Sequence, residues 1–250
     1  MSLSRLAPAA LAAALLPCAA LAQNVVTVGI GPQTAPGYFG SSDYEVGVGG
    51  TLSFDQIDIG PLKFGDAYGD PELGFGVTGS LGFIPERNGA KFPELAGTTP
   101  LDAALELGGG VTYTTPNFYA FAIARKGVTG HDSLVGELGA DAIYQASDRL
   151  ELRVGPRLFF ADDDFAQRYF GVTAAEAGNG NTLTPFDAKG GMLARGIEVS
   201  AVYDFSERVA LTGTVRYDQF TNDAADSPIV RQGSDSATTA SLVISRQFSF

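Results

Sequence analysis

The chain has 250 residues and a net charge of −12, from 28 acidic against 16 basic side chains; it offers no basic stripe for a phosphate backbone, so nucleic acid is excluded as a partner. A single cysteine cannot build a disulfide framework, and no apolar run beyond residue 22 approaches a helical membrane span, so any membrane crossing must be made by strands. Glycine is abundant at 32, tryptophan is absent, and no Pro/Ser-rich linker divides the chain, which reads as one large all-β domain.

Residues 1–22 carry Arg5, then the apolar run LAPAALAAALLPCAALA ending in Ala20-Leu21-Ala22, a small-x-small site. This pattern is a secretory signal peptide cleaved after Ala22. A membrane anchor fits less well, because the run is Ala-rich, short, and followed at once by polar, strand-like sequence. A lipoprotein is disfavoured because Pro17, not a small residue, precedes Cys18. Cleavage removes the only cysteine, so the exported domain, 23–250, must hold itself together by burial and hydrogen bonds.

Period-two alternation then dominates, with candidate strands at 24–31, 44–54, 57–64, 72–84, 101–114, 117–127, 133–146, 149–161, 190–204, 207–221 and 237–250. Leu105, Leu107, Val111 and Tyr113 oppose Asp102, Glu106 and Thr112; Leu150, Leu152, Val154, Leu158 and Phe160 oppose Glu151, Arg153 and Arg157. Ile197, Val199, Ala201, Tyr203 and Phe205 oppose Glu198, Ser200 and Asp204; Leu211, Val215 and Tyr217 oppose Thr212, Thr214, Arg216 and Asp218. A soluble sandwich would bury such apolar faces, whereas a membrane barrel turns them to lipid. These segments exceed the soluble mode of about 5 to 6 residues and match the roughly 9 to 11 of a tilted membrane strand. Connections at 114–117, 146–148 and 206–208 are tight while those at 85–100, 161–189 and 221–237 are long, the turn-and-loop asymmetry of outer-membrane barrels.

The fold expected is therefore a closed antiparallel transmembrane β-barrel of 10–12 strands, with short periplasmic turns, long extracellular loops and the last strand paired to the first near 25–30. Eleven candidates conflict with the even strand numbers of single-chain bacterial barrels. The stretch FDQIDIGPLKFGDAYGDP at 54–71 settles the number: joined to the preceding strand it gives ten, split at Gly60-Pro61 it gives twelve, and twelve is preferred. The chain ends SLVISRQFSF, placing Leu242, Ile244, Phe248 and Phe250 toward lipid and Ser241, Ser245, Gln247 and Ser249 inward. Its terminal Phe250 resembles the signal that the bacterial barrel-insertion machinery reads, and Arg246, on the lipid side, can snorkel to the headgroups.

On the inward parity lie Glu106, Glu137, Asp141, Glu151, Glu198, Asp204 and Asp218 together with Arg153, Arg157 and Arg216. A wide pore could use such charges for selectivity, but a barrel of about 10 to 12 strands leaves limited room, so charges pairing across a plugged interior is preferred. His131, in TGHDSLVGELGAD, has Ser133 and Glu137 close by, a set resembling the lipid A deacylases of the outer membrane; twelve residues past Ser133, where that family supplies its acid, stands Gln145. A surface histidine capping a loop is preferred. Asp162, Asp163 and Asp164 could ligate a divalent cation, yet lack calcium-loop spacing and read as a solvated loop start. The glycine clusters GVGG and LGGG lie inside strands, not at a strand-to-helix turn, so no cofactor is expected.

Three stretches carry a family resemblance. GIGPQTAPGYFGSSDYEV contains Pro36, Tyr38, Gly40, Ser41 and Tyr44; RYFGVTAAEA contains Tyr169, Phe170, Gly171 and Val172; NDAADSPIV contains Asp226, Ser227 and Pro228. In this order they resemble the opening loop, the Tyr-Phe-Gly-Val element and the Asp-Ser-Pro element of the MltA-interacting protein (MipA/OmpV) family, while Phe186 stands where relatives often have tyrosine. The resemblance implies a non-enzymatic outer-membrane scaffold bridging a murein hydrolase and a murein synthase. A small-solute or ion channel is the alternative, and a lipid hydrolase using His131 and Ser133 a third reading.

Overall fold

A computed structural model describes residues 25–59, 62–64 and 73–249, with backbone alone at 52–59 and 62–64. Among these residues eleven strands form one antiparallel sheet: β1 (Val25–Pro36), β2 (Tyr44–Ile59), β3 (Leu62–Phe64), β4 (Gly74–Ile84), β5 (Ala104–Thr115), β6 (Phe118–Thr129), β7 (Leu134–Ser147), β8 (Leu150–Ala161), β9 (Gly191–Ser206), β10 (Val209–Phe220) and β11 (Ser236–Ser249). Among the described residues three α-helices sit in the long connections: α1 (Asp163–Phe170), α2 (Asn222–Asp226) and α3 (Pro228–Arg231). The hydrogen-bonded order is β3-β2-β1-β11-β10-β9-β8-β7-β6-β5-β4, so the first and last long strands are neighbours. Their register runs from Val25 opposite Ser249 to Thr34 opposite Ala240, skipping Gly31 and Pro32, where proline has no N–H to give the ladder.

Among the described residues ten strands are long and β3 has three residues, so ten strands and a stub are seen and the preferred twelve is not shown. The cause is continuity of the ladder. β2 does not break at Phe54; it stays bonded to β1 as far as Gln56, and its Ile57–Ile59 end then pairs with β3. The proposed 57–64 strand is thus divided between two elements. β1 in turn runs past Ile30 to Pro36, because the two-sided pairing available between β2 and β11 outweighs the breaking tendency of Gly31-Pro32. Residues 1–22, expected from the sequence to be a signal peptide, and Phe250 lie outside the described residues.

Side-chain polarity is reversed relative to a soluble sheet. Val46 and Phe75 are each 84 % exposed, and Ile30, Phe83, Val111, Val154, Ile197, Val215 and Ile244 also point away from the concave side. Arg157, Glu106 and Asp141 are buried instead. The apolar core sits at one end, where the long connections fold inward. Phe165, Phe170, Leu193, Phe220, Ala224 and Val230 pack in one cluster, and Tyr38, Phe92, Leu95, Val172, Leu183 and Ile229 form a second beside it. Arg246 lies with Phe248 on the outer face, its guanidinium 5.4 Å from that ring.

Candidate functional site

The loop end is closed by a plug centred on α1, and the sequence builds it residue by residue. Asp162 caps the helix: Oδ1 accepts from the Phe165 N–H at 2.9 Å and Oδ2 from the Leu134 N–H at 2.6 Å, tying α1 to the start of β7. Asp163 Oδ1 accepts from the Gly190 N–H at 2.7 Å. The expected solvated acidic run is in part a helix cap with two of its carboxylates engaged by backbone, and among the described residues no cluster of His, Cys, Asp and Glu is placed to hold a metal.

The three family-like stretches converge on this plug. Gly40 has φ +94°, and a Cβ there would stand 2.8 Å from the Val230 Cα, so glycine is required on both counts. Pro36, the last residue of β1, hands the chain to that turn. Tyr38 stacks edge-on against Phe92 and donates to Glu94 at 2.9 Å; burial first, and then that carboxylate, push the Tyr38 phenol well above its ordinary range. Ser41 closes a local turn with Asp43, and Tyr44 Oη accepts from the Thr238 N–H. Tyr169 and Phe170 pack against Phe39, Gly171 caps α1, and Val172 pairs its backbone with Phe186. Ser227 donates to the Phe170 carbonyl at 2.6 Å, accepts from the Ile229 N–H, and precedes Pro228 at the first turn of α3; Asp226 pairs with Arg231. Two residues that sequence reasoning passed over complete the plug: Phe39, and Arg87, which donates to the Tyr169 carbonyl at 2.8 Å and whose burial lowers its pKa to about 10.

His131 is the correction at the site. It is 9 % exposed, not a surface cap, with its ring edge-on to Phe165 and Tyr169. Gly127 makes this possible, since a Cβ there would lie 2.4 Å from the ring Nδ1. Nδ1 accepts from the backbone N–H of Ser133, and Nε2 lies 3.3 Å from Glu106 Oε1 without the alignment of a hydrogen bond. Glu137 faces elsewhere. A hydrolase triad needs the imidazole between a hydroxyl and an acid, and here backbone occupies one ring nitrogen and the wrong carboxylate stands by the other.

Below the plug many of the inward-facing charges are paired. Arg125 reaches Glu106 at 3.0 Å and Glu137 at 3.4 Å; Arg216 holds Glu137 and, at 2.7 Å, Asp218. Arg157 grips Asp141 through both terminal nitrogens and Glu198 through one. Arg125, absent from the sequence-based set, joins the two halves of the first network. Glu151 pairs with Arg153 two residues along its own strand, not across the lumen, and Asp204 is exposed near the turn end.

A profile of the MltA-interacting protein MipA family matches residues 28–248. The chain belongs to that family. With the outward apolar face and the strand order, MipA membership makes it an outer-membrane β-barrel protein. No curated protein matches it. Solved structures with a similar sheet include an outer-membrane channel from Pseudomonas putida F1 (9% identity, 92% of this chain and 97% of that one, TM-score 0.42). The Pseudomonas putida toluene transporter TodX (10% identity, 92% and 90%, TM-score 0.34) is another. A third is Salmonella typhi OmpF in complex with daunomycin (18% identity, 81% and 51%, TM-score 0.31), of which this MipA-family chain spans about half.

Proposed function

We propose that this MipA-family protein is a barrel closed by the meeting of β2 and β4, stoppered at its loop end, and acting without catalysis as a membrane-fixed scaffold for a murein hydrolase, with a murein synthase as second partner. The observation that carries the reading is the family match over residues 28–248, since the family is named for interaction with MltA. The geometry is consistent with it. The motif residues are used to build the plug, the lumen arginines are each held by carboxylates, and His131 is engaged by backbone.

Export through a leader removed after Ala22 and insertion read from the β11 end at Phe250 would deliver the chain to outer-membrane lipid. Cross-linking in native membranes followed by co-purification tests the scaffold role. A murein hydrolase enriched over an unrelated barrel of similar abundance is the expected result, and equal recovery of hydrolase from both removes the proposal. Overexpression should leave lipid A acyl composition unchanged.

A further inference from the structure

Beneath the plug lies a cavity of about 500 Å³. Its lining is of two kinds: lumen-facing Arg125 and Arg216, and the outward-facing Val46, Val48 and Phe83, which are 84 %, 77 % and 65 % exposed. A void bordered by residues of both parities reaches the edge of the sheet. Topology fixes where. β2 and β4 approach within 8 Å between Cα atoms, yet among the described residues no ladder joins them, and β3 covers the β2 edge only at Ile57–Ile59. The inward position on the β2 side of this seam is Gly47, where an added Cβ would meet nothing within 4 Å. No side chain from that position obstructs the passage.

We infer that this seam is a side port between bilayer and lumen, and that the cavity behind it binds an uncharged, largely apolar solute. The inference rests on the barrel reading above. The port lies where β2 begins at Tyr44 and β4 ends at Ile84, near headgroups and water, so the free edge N–H and C=O groups there can be hydrated rather than stranded in hydrocarbon. The chemistry of the occupant follows from the walls. Phe39, Phe159, Phe170 and Phe220 line the cavity. Arg125 and Arg216 are each already bonded to two acidic residues, and Arg87 gives one nitrogen to the Tyr169 carbonyl. Glu106, Glu137 and Asp218 in the same wall balance the three guanidiniums, so an ionised guest of either sign would lose hydration without gaining a net counter-charge. An uncharged guest gains apolar burial in a cavity of ordinary ligand size.

The chain has no tryptophan, so Phe159→Trp, or Thr239→Trp should the first disturb packing, places one energy donor in the cavity wall. Titrating the detergent-solubilised mature protein with N-phenyl-1-naphthylamine should give saturable energy transfer. The anionic anilinonaphthalene sulfonate, of similar ring size, should give none. Gly47→Phe, filling the port, should weaken transfer by about tenfold or more, while Gly213→Phe on the remote outer face should leave it unchanged. Non-saturable transfer, equal transfer to both dyes, or equal affinity in Gly47→Phe overturns the inference. Heat-modifiable migration and β-rich circular dichroism are read on every sample: a folded barrel without binding sinks the port alone, and loss of the folded signature in the parent sinks the barrel reading and the port with it.

Discussion

Ser227 is fully buried and serves two elements at once: its hydroxyl donates to the Phe170 carbonyl at the end of α1 and accepts the Ile229 N–H that opens α3. Alanine there leaves a buried acceptor and a buried donor unmet, a loss of about 1–3 kcal/mol. Urea unfolding of Ser227→Ala in detergent should show that loss, whereas Ser42→Ala, at an exposed position, should match the parent. Glu176 gives a pH prediction at the same scale. Burial pushes its carboxyl up, but hydrogen bonds from Thr99 and Thr173 outweigh it and hold the group at about 2. A lowered folded-state pKa stabilises above the unfolded value of about 4.3, and the contribution disappears as pH falls toward about 2. Pepsin cleavage at 173–181 should therefore rise across that window in the parent, and be high and flat with pH in Glu176→Gln. The motif residues were readable from sequence as a set, but their shared destination was not: Pro36, Tyr169 and Ser227 are far apart in the chain, and only folding shows that the loops carrying them meet. His131 was misread because a loop position normally means solvent, and nothing local shows that α1 will lie over it.

At the scale of elements, the long strands were legible wherever one face is apolar and the other charged, as in β8, β9 and β10. β6 was harder. It turns Tyr119, Phe121 and Ile123 inward and alanines outward, so both faces read as apolar, and Arg125, its inward cation and the hub of the network, was overlooked. α1 was missed because eight residues give barely two turns of period, and its acidic start reads equally as solvated loop. The Asp162 cap now makes a separable prediction. Asp162→Ala removes the acceptor for both the Phe165 and the Leu134 amides, at about 0.5–2 kcal/mol for the cap alone. Hydrogen exchange should speed up at those two amides and through α1, while β9 and β10, bonded on both sides, keep their protection. Unchanged exchange at Phe165 would show that packing alone holds the helix.

The whole molecule keeps its apolar core at one end and its charges along the axis, which suits a chain solvated by hydrocarbon around its girth. In that arrangement the stopper, not the wall, decides whether ions pass. Ala161 and Gly191 are paired across β8 and β9, so residues 163–189 can be replaced by a short Gly-Ser turn without stretching either strand. The replacement removes Phe165, Tyr169, Phe170, Val172 and Leu183 from the centre of the plug while leaving the lumen pairs in place. The parent should show no stepped conductance in planar bilayers, and the shortened protein should show discrete steps. Those steps should favour cations, because the paired lumen residues Glu106, Glu137, Asp141, Glu198 and Asp218 outnumber Arg125, Arg157 and Arg216. A reversal potential under a KCl gradient reads the preference directly. Steps in the parent would restore the channel reading, and silence from a folded, shortened barrel would mean that the charge network alone blocks the lumen.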